Sequence, residues 1–224
     1  MKKWLEKVDW IYVIVPLALL GTFWVIAAFT GQWPWQSNPY NSYALQTDSW
    51  LKGRLDLGQD YPWLELAIYQ GKYFVSFPPF PSYVLIPFVM IFGTNTPDHL
   101  IALLVTIAGC VYAIKLYREV SLEKQHALFW VLMLYFASGY LFVGMNGYVW
   151  FIAQSMSFTL SLMALYYALR QKGGLSLAFW ACAVGCRPML ALYGILLGYL
   201  LVKGYKKENP EGCLLYTSDA ADDS

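Results

Sequence analysis

Two charged residues of this sequence stand where they could do chemistry at a membrane surface. Asp48 lies in the stretch NPYNSYALQTDSWLKGRL, where its carboxylate could bind a metal ion or take a proton. Arg187 precedes Pro188 inside a long apolar stretch, and a guanidinium there could hold a lipid phosphate by paired hydrogen bonds. Plainer interpretations stand beside both: Asp48 could pair with Lys52 one turn later, and the Arg187 side chain could extend to the headgroups.

Three uncharged polar residues are further candidates for ligand binding. His99 follows Asp98 at the start of an apolar segment, and both could join a site, although helix N-capping explains Asp98 without any chemistry. The amides of Asn146 and Gln154 could bind a ligand or form a polar contact between helices. The acids Asp56, Asp60 and Glu65 match no metal-binding loop and are expected to be solvated charges.

The composition is that of a membrane protein. Hydrophobic residues make up 58% of the 224 residues, aromatic residues 18% and charged residues only 13%. With 15 Lys and Arg against 14 Asp and Glu, the formal charge of +1 gives no indication of a nucleic-acid partner. The four cysteines, Cys110, Cys182, Cys186 and Cys213, have no spacing typical of a disulfide framework or a zinc site.

Five segments are apolar enough to enter a bilayer, whose core of about 30 Å needs roughly twenty helical residues. They are residues 8–29, 98–117, 125–143, 149–170 and 175–204. Proline removes a helix hydrogen bond and disfavours helix at the preceding residue, so Arg187 and Pro188 should divide the last segment into two helices. The sequence therefore predicts an all-α, polytopic transmembrane bundle of about six spans.

The basic residues indicate how this bundle is oriented. Residues 79–93 are short for a span, and Pro81 and Pro87 fall inside them. If they lie along the membrane, the Lys and Arg clusters between the spans fall on one side. This predicts a multi-pass protein of the cell membrane with a cytoplasmic N-terminus. A competing model makes 79–93 a true span and places the N-terminus outside.

In the first model, residues 30–97 form one large external loop that is rich in Trp, Tyr and Pro. Such rings favour the headgroup zone, so the loop should lie against the membrane surface. It should carry a surface helix ending near Gly53, a short β-hairpin around Gln70 and Gly71, and a juxtamembrane helix at 80–92.

The order of these elements resembles a known family. A first span, a loop with LKGRL, the segment GKYFVSFPPFPSYVLIPFVMIFG and the break AVGCRPMLAL resemble the N-terminal membrane module of GT-C-type glycosyltransferases. This group includes protein O-mannosyltransferases and the lipid A aminoarabinose transferase. The resemblance covers about residues 8–205 and is greatest to bacterial members of unassigned substrate, which implies a bacterial inner membrane.

The resemblance implies transfer of a sugar from a polyprenyl-phosphate donor to an acceptor outside the cytoplasm, with membrane lipid around the protein. For such a reaction we choose Asp48, in the surface helix of the loop, as the catalytic carboxylate, which would bind a divalent metal ion or take the acceptor's proton, and Arg187 would hold the donor phosphate. Asn146, Gln154 and His99 would contribute to substrate binding, the two amides through sugar hydroxyls. The sequence departs from the family because PYN stands where an early loop acid is usual and GMNGYVWFIAQ lacks the second acid.

These departures keep two other classes of protein open. A non-catalytic membrane protein that binds a lipid-phosphate carrier would retain the fold without the acids. A transporter would also account for the helix broken at Arg187 and Pro188, although no inverted repeat is evident.

The domain organisation follows the change in composition near the C-terminus. Residues 1–211 are expected to form one membrane module, and residues 212–224 are expected to be a non-native tail. The run CLLYTSDAADDS resembles translated sequencing adapter, so we expect the natural protein to continue beyond it. Nothing in the pattern indicates the oligomeric state.

Overall fold

The computed structural model describes residues 9–120 and 126–208 of the chain. Within these ranges the protein is mostly helical, as the sequence predicts, and has one two-stranded sheet. The tail predicted at 212–224, Cys213 and the basic residues Lys2, Lys3, Lys7 and Lys124 lie outside the described residues.

The first half of the chain contains one long helix and a loop with structure of its own. Helix α1 (Ile11–Thr30) is followed by the short helix α2 (Ser42–Leu51). Strands β1 (Leu66–Tyr69) and β2 (Lys72–Val75) then pair antiparallel, and helix α3 (Phe80–Phe92) completes the loop.

The turn between the two strands depends on its two central residues. Gln70 and Gly71 have φ angles of 50° and 71°, the left-handed pair that suits the twist of a two-residue hairpin. Glycine adopts this conformation without steric cost, whereas Gln70 is one of two non-glycine residues with positive φ in the described part of the chain.

The second half of the chain is a series of helices that cross the bundle in alternating directions. Helix α4 (Asp98–Val120) is continuous, whereas α5 (Ala127–Leu132) continues as a π-helical stretch (Met133–Ala137) and then α6 (Tyr140–Met145). Helix α7 (Val149–Leu169) is again continuous.

The last apolar segment is divided where the sequence places a proline. Helix α8 (Gly173–Cys186) ends before Arg187, which is extended, with φ of −144° and ψ of 103°. A 3₁₀ stretch (Pro188–Leu192) leads into helix α9 (Tyr193–Glu208). Residues before proline avoid the α-helical region for steric reasons, which accounts for the position of the break.

Three of these helices, α1, α4 and α7, are long and apolar enough to cross a bilayer. The apolar helices α3, α8 and α9 are shorter. These observations agree with a membrane protein, and they match the predicted segments 8–29, 98–117 and 149–170.

The functional candidates lie at one end of the helical bundle. Helix α1 ends there, α4 and α7 begin there, and Arg187 bonds to the first turn of α7. We call it the Arg187 end. At the opposite end, the Arg118 end, Arg118 is ion-paired with Asp9 and Arg170 with Glu119.

Helix α2 and helix α3 are packed onto the Arg187 end through a common apolar core. The core joins Tyr43 and Ala44 of α2 to Leu85 of α3, Val149 of α7 and Cys186 of α8. A polar contact supports it, because the Ser82 hydroxyl donates to the Gln46 side chain at 2.6 Å. The loop is thereby fixed over the place where the chain breaks at Arg187.

Candidate functional site

The Arg187 guanidinium is held by one backbone acceptor and retains unused donors. Its Nη2 donates to the Trp150 carbonyl at 2.7 Å. Its Nε is sealed from solvent and has no hydrogen-bond partner, and no carboxylate of the described residues is ion-paired with it. A guanidinium has five N–H donors; with Nε sealed and one Nη2 donor used, the donors left for a ligand are those of Nη1 and the second N–H of Nη2.

Tyr43 adds a second unpaired polar atom beside Arg187. The Tyr43 side chain is buried, its hydroxyl has no partner among the described residues, and its ring meets Phe77 edge-on. Burial raises the pKa of Tyr43, and the nearby positive charge of Arg187 partly opposes the rise. The phenol therefore stays neutral, and its hydroxyl is enclosed beside Arg187 without adding a negative charge there.

Trp150 connects Arg187 to an acidic side chain of the loop. Its carbonyl accepts from Arg187, and its indole Nε1–H donates to Glu65 Oε2 at 3.3 Å. The Glu65 carbonyl is fixed in turn by the Ser76 hydroxyl at 2.8 Å, just beyond β2. The sequence indicated only a solvated charge at Glu65, because the contact to Trp150 spans 85 residues and leaves no local pattern.

Asp48, the predicted catalytic acid, lies at a separate place on α2. Its Oδ2 is 2.6 Å from Lys52 Nζ, the ion pair of the plainer interpretation. Both residues line a polar cavity of about 440 Å³ with Arg54, Tyr61 and other loop residues, and Arg187 is not among its lining. The structure does not bring Asp48 and Arg187 to one cavity.

The donor set for a metal ion is poor in the described part of the chain. No group of three or more His, Cys, Asp or Glu side chains there could hold one. The Asp48 carboxylate faces the Lys52 ammonium, whose charge would oppose a cation. The residues therefore do not fit a divalent metal, and no chemical step is assigned to one.

The predicted binding residues His99 and Asn146 are brought together, whereas Gln154 is not. His99 and Asn146 both line a cleft of about 480 Å³ between α1 and α6, which we call the α1–α6 cleft. The Gln154 side chain is exposed on α7 and lies outside this lining.

A buried polar network fixes one wall of the cleft. Asn38 Nδ2 donates to Asp98 Oδ2 at 2.9 Å and to the Gly147 carbonyl at 3.1 Å. The Gly147 N–H donates to His99 Nδ1 at 3.2 Å. The network joins three chain segments that are 48 to 109 residues apart, so no local sequence pattern indicates it.

The environment of the Arg187 end is aromatic. Tyr40 lies between Tyr148 and Trp150, with ring centroids 5.5 and 5.6 Å away. Tyr148 borders the α1–α6 cleft and Trp150 binds Arg187, so this row of rings separates the cleft from the arginine.

Comparison of the chain with protein-family models, with curated proteins and with solved structures gives no match.

Proposed function

We propose that this chain is the membrane module of a GT-C-type glycosyltransferase, which moves a sugar from a polyprenyl-phosphate donor to an acceptor outside the cytoplasm. The observation that carries the proposal is Arg187, a membrane-edge guanidinium with an unpaired Nε and no carboxylate partner among the described residues. Holding a guanidinium at the membrane edge without a counter-charge costs free energy, and an anionic ligand on Nη1 and Nη2 would offset part of it.

A phosphate group suits the hydrogen-bond donors and the positive charge of this site. Arg187 can donate N–H bonds from Nη1 and Nη2 to phosphate oxygens, and its charge attracts the phosphate. Trp150 holds the guanidinium through its carbonyl, so the donors are oriented before the ligand arrives.

An apolar groove nearby suits the polyprenyl chain of such a donor. The groove of about 190 Å³ runs between α3 and α7 and is lined by apolar side chains and one threonine, among them Phe80, Val84, Met156 and Leu160. These four residues also belong to the core around Tyr43 and Cys186. A carrier with its phosphate on Arg187 could therefore lay its first isoprene units in this groove, where apolar burial favours binding.

The transfer itself needs charge stabilisation at the leaving phosphate. An acceptor hydroxyl oxygen would bond to the anomeric carbon while the bond from that carbon to the phosphate oxygen breaks. The polyprenyl phosphate leaves with the bonding electron pair, and Arg187 would stabilise its growing negative charge. The acceptor proton passes to a carboxylate acting as general base.

Two carboxylates are candidates for the general base that accepts this proton. Asp48 is the residue that the sequence predicts, but its ion pair with Lys52 would have to break before its carboxylate could accept the proton. Glu65 is exposed and connected to Arg187 through Trp150, so we assign the proton to Glu65. Glu65→Gln should then lower transfer about a hundredfold or more, as loss of a general base does, and Asp48→Asn should lower it far less.

The proposed topology has six spans with the N-terminus in the cytoplasm. Besides α1, α4 and α7, the segments α5–α6, α8 and α9 would each cross once. Helix α8 has 14 residues and reaches only about 21 Å, so the bilayer would thin around it. Basic side chains gather at the Arg118 end, which supports this orientation under the positive-inside rule. They include Lys115, Arg118, Arg170, Lys172 and Lys203.

Carrier binding without transfer is the second candidate function. It is favoured by the ion pair between Asp48 and Lys52 and by the absence of a metal-binding group in the described residues. A protein of this kind would hold the lipid phosphate on Arg187 and present it to another subunit.

One assay separates the two candidates. The protein in liposomes is given labelled sugar on polyprenyl phosphate and a panel of acceptors, and transfer is compared among wild type, Glu65→Gln, Arg187→Ala and Lys72→Ala. Lys72 is an exposed cation of the hairpin and serves as the control. Transfer that is lost in the first two variants and kept in the control supports the enzyme. Arg187-dependent carrier binding without any wild-type transfer supports the second candidate.

A further inference from the structure

The α1–α6 cleft combines an apolar wall with a polar rim. The wall is formed by Phe23, Ile26 and Ala27 of α1 and by Leu141, Phe142 and Met145 of α6. The rim is formed by Thr30, Gln32, His99, Asn146 and Tyr148. Its volume of about 480 Å³ is within the roughly 300–1,000 Å³ that is usual for small-molecule sites.

His99 presents an unused donor to this cleft. The ring is 4% exposed, and its Nδ1 accepts the Gly147 N–H at 3.2 Å. The Met145 carbonyl lies 3.4 Å from the same atom, but a proton on Nδ1 would leave the buried Gly147 N–H without an acceptor. From this pattern we assign the proton to Nε2, which has no hydrogen-bond partner among the described residues.

The other rim residues add both donors and acceptors, and none carries a charge. Gln32 Nε2 donates to the Tyr148 oxygen at 2.9 Å, which leaves the Tyr148 proton and Gln32 Oε1 available. Asn146 Nδ2 donates to the Phe142 carbonyl at 2.7 Å, which leaves Asn146 Oδ1 as an acceptor. A mixed set of this kind matches hydroxyl groups, each of which both donates and accepts.

Three tryptophans indicate the depth at which the rim lies. Trp33 is stacked on Trp35 with centroids 5.2 Å apart, and Trp24 of α1 lies 5.5 Å from Trp33. Trp33 also packs against the buried cluster that contains Phe23, Ala27 and Met145 of the cleft. Because tryptophan favours the membrane interface, the rim should be at headgroup level and the apolar wall just below it, facing lipid tails.

From these observations we propose that the α1–α6 cleft binds a neutral, hydroxylated membrane lipid, with one tail on the α1 and α6 wall and its headgroup hydroxyls on His99, Tyr148 and Gln32. A glycolipid such as a glucosyl diacylglycerol has this chemistry. The site is distinct from Arg187, which lies beyond Tyr40 and Trp150, and the proposal does not depend on the proposed function.

The test is photolabelling of the purified protein in phosphatidylcholine nanodiscs. One sample contains monoglucosyl diacylglycerol with a diazirine in one tail, and a parallel sample contains phosphatidylcholine with the same tail. After irradiation, mass spectrometry locates the labelled peptides. We expect the glucolipid to label peptides of α1 and α6 several-fold more than the phospholipid does.

Variants separate binding in the cleft from general contact with lipid. In Ile26→Trp the larger side chain should fill part of the cleft and reduce labelling by about tenfold. Val25→Trp is the control: Val25 is exposed and does not line the cleft, so labelling should be unchanged. His99→Asn keeps an acceptor for the Gly147 N–H and removes the Nε2 donor, so labelling should fall about two- to tenfold. Arg187→Ala should have no effect.

Equal labelling by the two lipids would overturn the proposal, because it would mean that the headgroup is not recognised. The same conclusion would follow if Ile26→Trp and His99→Asn, each shown to be folded by its thermal transition, labelled as strongly as wild type.

Discussion

At Gly147 the backbone between α6 and α7 passes against the start of α4. A Cβ on this residue would overlap the Asp98 carbonyl carbon and the His99 nitrogen, both of them backbone atoms that cannot rotate away. The close approach also lets the Gly147 carbonyl and N–H bond to Asn38 and His99. Gly147 is thus the residue through which the loop after α1, helix α4 and helix α7 are held in one register.

Gly147→Ala should therefore destabilise the protein by about 1–3 kcal/mol, the usual cost of forcing extra volume into a packed site. Gly139→Ala is the control, because nothing lies within 4 Å of a Cβ built there. Thermal unfolding of both variants in the same detergent measures the difference. Equal transition temperatures would show that the Gly147 contact is looser than described.

The break between helices α8 and α9 determines where Arg187 points. Pro188 prevents Arg187 from being helical, and the extended residue then reaches the first turn of α7. The sequence was sufficient to predict this break because its cause, a proline after an arginine, is local.

Pro188→Ala should let helix continue through Arg187 and withdraw the guanidinium from Trp150. We expect the affinity for polyprenyl phosphate to fall several-fold while the protein stays folded. Pro16→Ala, which changes a proline inside α1 far from the site, should leave the affinity unchanged. Normal affinity in Pro188→Ala would mean that the break does not position Arg187. Binding is measured by native mass spectrometry.

Other elements show the limit of local information. The segment predicted as one span at 125–143 is interrupted by a π-helical stretch and by Ser138 and Gly139. Its hydrophobicity indicates burial, but it does not specify the hydrogen-bond pattern of the helix. The contacts that build the site, such as Asn38 with Asp98 or Trp150 with Glu65, join residues 60 and 85 positions apart. Periodicity reveals which face of a helix is buried, not which distant residue meets it.

For the proposed reaction, the hairpin and the Arg187 end must both face the outside of the membrane. The two topologies allowed by the sequence differ at this point. With a cytoplasmic N-terminus, Lys72 of the hairpin is outside, whereas a true span at 79–93 would place it inside. Lys203 of α9 is on the cytoplasmic side in both topologies.

Labelling of single cysteines decides between these topologies. In a background without the native cysteines, Lys72→Cys should react with a membrane-impermeant maleimide in intact cells, because the residue is exposed in the hairpin. Lys203→Cys, the control, should react only after the membrane is opened. Protection of Lys72→Cys until permeabilisation would favour the competing topology.

Whether Arg187 holds a lipid phosphate is tested by comparing two ligands that differ only in the phosphate group. Binding of polyprenyl phosphate and of polyprenol is measured in the same nanodiscs for wild type, Arg187→Ala and Arg187→Lys. Hydrogen bonds to charged groups contribute about 1.5–3 kcal/mol, so the wild type should prefer the phosphate by about ten- to a hundredfold. The preference for the phosphate should be absent in Arg187→Ala and partly retained in Arg187→Lys. An equal preference in wild type and Arg187→Ala would contradict the account.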